Sequence, residues 1–134
     1  MPKKTENNVM KTSATEDCVS VIKDNDSISV AFYIECDKPY EIWRKMHKID
    51  KEAYMNGYNW EAFFNYYLSK YAPDVMKGMQ TDPEAGMYAV YYAMSPENER
   101  RADKFAEIIR SLVENEDELY QIIREEGNEI LWEI

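Results

Sequence analysis

The chain has 134 residues, with 26 acidic against 16 basic side chains, a formal net charge of −10, and 11 tyrosines beside 4 phenylalanines and 3 tryptophans. That length carries a hydrophobic core without metal or disulfide help, and that aromatic content excludes an acidic disordered chain. The charge excludes a protein that binds nucleic acid by neutralising phosphates, and no apolar run approaches the ~20 residues that cross a bilayer.

Residues 1–15 show no period of two or 3.6 and read as a solvated tail, with 16–134 as a single α+β domain. No apolar stretch follows the tail's lysines, so no secretory signal is expected and the cytoplasm is the expected compartment. Residues 17–23 and 28–35 read as two strands, with Ile28, Val30, Phe32 and Ile34 alternating on one face and Asp24 to Ser27 supplying the turn. Setting Val19 and Val21 opposite Phe32 and Val30 places Cys18 across from Tyr33, not Cys36. A Cys18–Cys36 disulfide would need a register slip that flips faces, so two free thiols are expected.

Asp37 and Pro39 suit a helix start, and Ile42, Met46, Ile49 and Ala53 form one helical stripe. Asn56-Gly57 is expected to end that helix, with Asn59 capping the next. The second helix carries an aromatic face of Trp60, Phe63, Phe64, Tyr67, Leu68 and Tyr71. Pro73 opens a short helix toward Met79, and residues 80–86 read as a loop. Residues 87–94 are apolar or aromatic on both faces, which suits a strand in the middle of a sheet. Ser95-Pro96-Glu97 is a helix start, followed by the stripe Ala102, Phe105, Ala106, Ile109, Leu112 and Val113. Asn115 is expected to cap a last helix that Gly127 terminates, with residues 129–134 as a final short strand. The expected fold is α+β: a small, mainly antiparallel sheet packed by about four helices.

Motifs for catalysis are missing. The single histidine, His47, has no nucleophile elbow or reactive-cysteine context around it. The four glycines lie too far apart for a phosphate-cradling loop. Asp24-Asn25-Asp26 begins like a calcium loop, but Ser29 stands where that loop needs glycine. No CxxC or Cys/His pattern suggests zinc. No catalytic, cofactor-binding or metal-ligating residue is therefore assigned, and no cofactor is expected. The acidic run Glu114-Asn115-Glu116-Asp117-Glu118 suits a helix N-terminus first, and a negative patch for a basic partner second. The tyrosines fit core packing, and they also give the composition of a protein interface.

The most distinctive stretch is Tyr54-Met55-Asn56-Gly57-Tyr58-Asn59-Trp60-Glu61, a helix stop, a turn and a helix start. Together with residues 49–53 before it, 62–68 after it, 81–88 and 105–109, it resembles the immunity protein 51 family of bacterial polymorphic toxin systems. The resemblance spans roughly residues 30–130 and leaves out the lysine-bearing tail. It implies a small, non-enzymatic cytoplasmic protein that binds the C-terminal domain of a cognate toxin, commonly a nuclease. No direct contact with nucleic acid or membrane is expected. The alternatives are a homo-oligomeric adaptor, held together by its tyrosines, and a hydrolase built on two carboxylates.

The expected partner contacts are Glu52, Tyr58, Glu61, Asp82 and Glu84, around the turn and the 80–86 segment. An acidic inhibitor would be steered to a basic toxin, and buried aromatic anchors would then hold it. One tension remains in the charge: residues 97–134 hold 12 acids and 5 bases, away from that turn. The two features make one surface if the C-terminal helices fold back beside Tyr58 and Asp82.

Overall fold

A computed structural model describes residues 18–51 and 53–132. The expectations for the tail, for Glu52 and for residues 133–134 lie outside the described residues.

The expected hairpin is present as β1 (Val19–Lys23) and β2 (Ser27–Tyr33), paired Val19↔Phe32 and Val21↔Val30. The register is the one set by placing valines opposite Phe32 and Val30. The Tyr33 amide donates to the Cys18 carbonyl at 2.8 Å, and no disulfide joins Cys18 and Cys36.

Helix α1 (Asp37–Ile49) begins one residue earlier than a cap at Asp37 would place it, with Cys36 in the capping position. It buries Ile42 and Met46 and stops at Ile49, seven residues before the expected stop at Asn56-Gly57. The connection turns instead on Met55, whose φ of 52° is left-handed while its side chain is buried. Asn56 caps α2 (Gly57–Tyr71), its side chain accepting from the Asn59 amide at 2.9 Å. The expected cap, Asn59, is instead fully buried inside the helix.

Gly57 is required for a different reason than chain reversal. A Cβ there would sit 1.8 Å from the Glu84 carbonyl oxygen and 2.3 Å from that of Met87. The first turn of α2 thus lies directly against the backbone of a hairpin, and the Gly57 amide donates to the Ala85 carbonyl at 3.3 Å.

That hairpin is the main departure from expectation. Residues 80–86 are not a loop: β3 (Gln80–Glu84) pairs with β4 (Met87–Ala93) through a two-residue turn. Asp82-Pro83 reads as loop composition, but a proline is tolerated where a strand edges the sheet. The strand order is β1-β2-β4-β3, all antiparallel, so β4 is interior and β3 is an edge.

A 3-10 turn (Pro73–Met76) precedes β3, its Val75 carbonyl accepting from the buried Tyr92 hydroxyl at 2.8 Å. Helix α3 (Pro96–Glu114) starts as expected, Ser95 accepting from the Asn98 amide. Helix α4 (Glu116–Glu126) follows Asn115, whose side chain donates backward to the Ser111 carbonyl and so gives α4 no side-chain cap. Gly127 follows α4 in a right-handed conformation, and Gly127–Glu129 continue as a 3-10 turn. The expected final strand does not form over residues 129–132. Ile130 is buried and Trp132 Nε1 donates to Asp50 Oδ2 at 3.2 Å, so this segment is anchored at the end of α1 rather than at a sheet edge.

The core lies between one sheet face and helices α2 and α3. Phe32 meets Trp60 edge-on at 4.9 Å, Phe64 stacks on Tyr88 at 5.7 Å, and Phe105 closes on Phe64 at 5.1 Å. Each such pair adds about 0.5–1.5 kcal/mol beyond its buried area. Helices α1 and α4 pack on each other and on α3.

Candidate functional site

In this antiparallel sheet, alternate residues face the helices or face away from them. The helix side takes Ile28, Val30 and Phe32 of β2 with their partners Tyr92, Val90 and Tyr88 of β4. The opposite face therefore carries Ser29, Ala31 and Tyr33, with Tyr91, Ala89 and Met87 as partners. Ser20 and Ile22 extend it on β1, and Gln80, Asp82 and Glu84 on β3. Tyr33, Tyr91 and Ile22 are exposed at 41%, 38% and 51%, and none of the described helices covers this face.

The expected contact residues divide by this alternation. Asp82 and Glu84 point to the open face, are exposed, and have no ion pair among the described residues. Glu61, half-buried on α2, accepts a hydrogen bond from the Thr81 hydroxyl, which faces the helices. It clamps the edge strand from behind. Tyr58 is exposed in the first turn of α2, beside the glycine that touches the Glu84 and Met87 carbonyls. Four of the five expected residues thus gather around the β3–β4 hairpin, on two sides of it. Glu52 lies outside the described residues.

The acidic C-terminal helix does not join them. It meets α2 through Glu126, which accepts from the Tyr66 and Tyr71 hydroxyls and pairs with Lys70 at 2.7 Å. Those partners lie about 12–20 Å along the helix from Tyr58, at 1.5 Å per residue. Glu116 is likewise occupied: Lys38 and Lys45 of α1 bind its two oxygens, and the Tyr120 hydroxyl donates to it at 3.0 Å. The Lys38 and Lys45 ammonium groups, with the Tyr120 hydroxyl, hold the Glu116 carboxyl down at about 2. The bond to Glu126 raises the Lys70 ammonium in the same way. Two carboxylates of the C-terminal region are thus fasteners between helices.

Sequence reasoning missed Ile22, Tyr33, Met87 and Tyr91. The available signal was the apolar character of 87–94 on both faces. It gave an interior strand correctly, but periodicity does not show whether a second layer covers the outer side.

His47 packs between Trp43 and Tyr54 at 6.1 and 5.2 Å, and its buried Nδ1 has no hydrogen-bond partner among the described residues. Among the described residues no group of three or more His, Cys, Asp or Glu is placed to hold a metal. None of their helices is long and apolar enough to cross a membrane. Burial pushes the Tyr88 and Tyr92 phenols up, so both stay protonated as core residues.

The family model described as Immunity protein 51 matches residues 19–128, most of the chain. The chain belongs to this immunity-protein family, consistent with a non-enzymatic, toxin-neutralising role that implies a cognate toxin as partner. No curated protein matches the chain, and no solved structure does.

Proposed function

We propose that this immunity protein acts in the cytoplasm by covering a basic functional surface on the C-terminal domain of its toxin. The β3–β4 hairpin, with Tyr58 beside it, makes the charged contact. The observation that carries this reading is a contrast in how carboxylates are used. Glu116 and Glu126 are held by lysines of the same chain, whereas Asp82 and Glu84 stand exposed on an edge strand. Free carboxylates attract a cationic partner at long range; those already paired contribute little.

A nuclease suits this charge best among toxin classes, because its cleft must hold a polyanion. An acidic inhibitor then approaches it quickly, at ~10⁸ M⁻¹s⁻¹ or faster at low salt. Tyr58 adds an aromatic contact of the kind that slows release. Glu61 contributes indirectly, by holding Thr81 and so the course of β3. The exposed acids Asp117 and Glu118 of α4 are the competing surface.

Co-expression with the toxin encoded in the neighbouring reading frame tests the proposal. Growth should be restored and a complex should co-purify at low salt. Persistent growth arrest with no complex would reject the reading for that toxin.

A further inference from the structure

The open sheet face departs from what such a face normally carries. When one side of an antiparallel sheet is packed on a core, the other is usually polar. Here its cross-strand rows run Ile22–Ser29–Tyr91–Gln80, then Ser20–Ala31–Ala89–Asp82, then Tyr33–Met87–Glu84. The middle row is small. Ala31 and Ala89 are nevertheless only 7% and 2% exposed. Tyr33 and Met87 flank this row on one side, Tyr91 and Ile22 on the other, so the floor of the face is tyrosine, methionine and isoleucine around small residues. Tyr33 is held in place on it by a 3.3 Å hydrogen bond with Ser20 Oγ.

Acids dominate the surroundings of this floor, the exception being the Arg110 guanidinium of α3, which donates to the Val19 carbonyl of the β1 edge at 3.2 Å. Asp82 and Glu84 lie along its β3 edge, Asp24 and Asp26 in the β1–β2 turn, and Glu35 against Gly86 at the other end. No lysine or arginine occupies an outward position on any of the four strands. Lys23, the one basic residue in them, faces the helices and pairs with Glu99 and Asp103 of α3.

Resting on the immunity reading above, we propose that this face is the docking floor for the toxin, and that it takes a basic patch bearing arginines. A guanidinium can lie over the ring of Tyr33 or Tyr91 while it bonds the rim carboxylates. The acidic rim sets the approach, and the apolar floor sets the residence time. A second copy of the chain fits poorly, because two such faces would bring acidic rims together at a net charge of −10 each. Residues 1–17 hold three lysines against three acids and offer no net complement to that rim.

The experiment measures binding kinetics of the full chain against the catalytically inactivated C-terminal domain of the neighbouring toxin. The double variant Tyr33→Ser/Tyr91→Ser should dissociate at least about ten-fold faster, with the association rate and its salt dependence within about two-fold of wild type. Tyr40→Ser/Tyr54→Ser, altering two tyrosines on the helical side that are somewhat more exposed, should change neither rate. Should the double variant fail to fold, Tyr91→Arg alone tests the same face, by setting a cation against a basic partner. Unchanged dissociation in a folded variant, with wild type still neutralising the toxin, overturns the docking floor and leaves the immunity reading standing. A wild-type chain that neither binds nor neutralises removes both. A doubled mass in wild type that the tyrosine variant abolishes assigns the face to a second copy and overturns the proposal.

Discussion

The two faces of the sheet are built from the same strands and have similar side chains, but differ in what they meet. On one, Phe32, Tyr88 and Val90 are at most 1% exposed beneath Trp60, Phe64 and Phe105. On the other, Tyr33, Tyr91 and Ile22 have none of the described helices above them. Aromatic residues on the covered face stabilise the fold; on the open face they offer area to a partner. Composition here is divided by geometry: the tyrosine-rich content serves stability on one side and recognition on the other. Variants can then separate two quantities, the free energy of folding and the affinity for toxin.

The largest effect belongs to the covered face. Phe64 contacts Trp60, Phe63, Tyr88 and Phe105, so Phe64→Ala should cost about 4 kcal/mol of stability. Chemical denaturation reads this directly, and the folded fraction should still bind toxin with wild-type kinetics. A loss of binding in fully folded protein would break the comparison. Next comes Gly57→Ala, which drives a methyl into the Glu84 and Met87 carbonyls, backbone atoms that cannot swing aside. It should cost about 3 kcal/mol, because overpacking forces backbone shifts. Since the displaced segment is the β3–β4 hairpin, binding should fall along with stability, unlike the Phe64 case.

On the open side, Asp82→Lys/Glu84→Lys should leave the denaturation midpoint nearly unchanged, within about 0.5 kcal/mol. The same variant should slow association about ten-fold at low salt and flatten its salt dependence. Asp117→Lys/Glu118→Lys, on α4, should slow association less. An unchanged on-rate in the first pair with a slowed one in the second would move the charged contact to α4.

The smallest effect concerns the helical fasteners. The Glu116 carboxyl sits at about 2 in the folded protein, below its ordinary 4.5, because Lys38, Lys45 and Tyr120 bind its charged form. A carboxyl depressed on folding stabilises the protein above its unfolded value and loses that contribution as pH falls through the folded one. Wild type should therefore lose this contribution between about pH 4.5 and 2. Glu116→Gln should lack that part of the acid sensitivity. The lysines are half-exposed, so the difference should be about 1 kcal/mol or less, read as stability at pH 7 minus that at pH 2.

The helical stripes and the first hairpin were legible because their signals are local. Valine alternation set the β1–β2 register, and Ser95-Pro96 set the start of α3. What escaped depends on neighbours distant in sequence. Residues 80–84 have loop composition and become a strand only because β4 offers an edge. Gly57 reads as a helix terminator, yet its role is close approach to a hairpin some thirty residues onward. Asn59 looks like a cap until the helix is found to begin at Gly57. The acids of residues 114–118 could not be divided by sequence into the paired Glu116 and its exposed neighbours, since the lysines that bind Glu116 lie on α1. The expected contacts at Asp82 and Glu84 came from the family resemblance and a turn. The aromatic face beside them came from the strand pairing.

Hydroxyl-radical footprinting of the protein with and without its inactivated toxin domain tests the central claim most directly, because the chain carries its own controls. Tyr33 and Tyr91 on the open face, and Tyr40 and Tyr54 on the helical side, are all between 38% and 54% exposed when free. Tyr33, Tyr91 and Met87 should lose reactivity in the complex while Tyr40 and Tyr54 keep theirs. Protection of Tyr40 and Tyr54 with Tyr33 and Tyr91 still reactive would contradict the account and place the toxin on the helices.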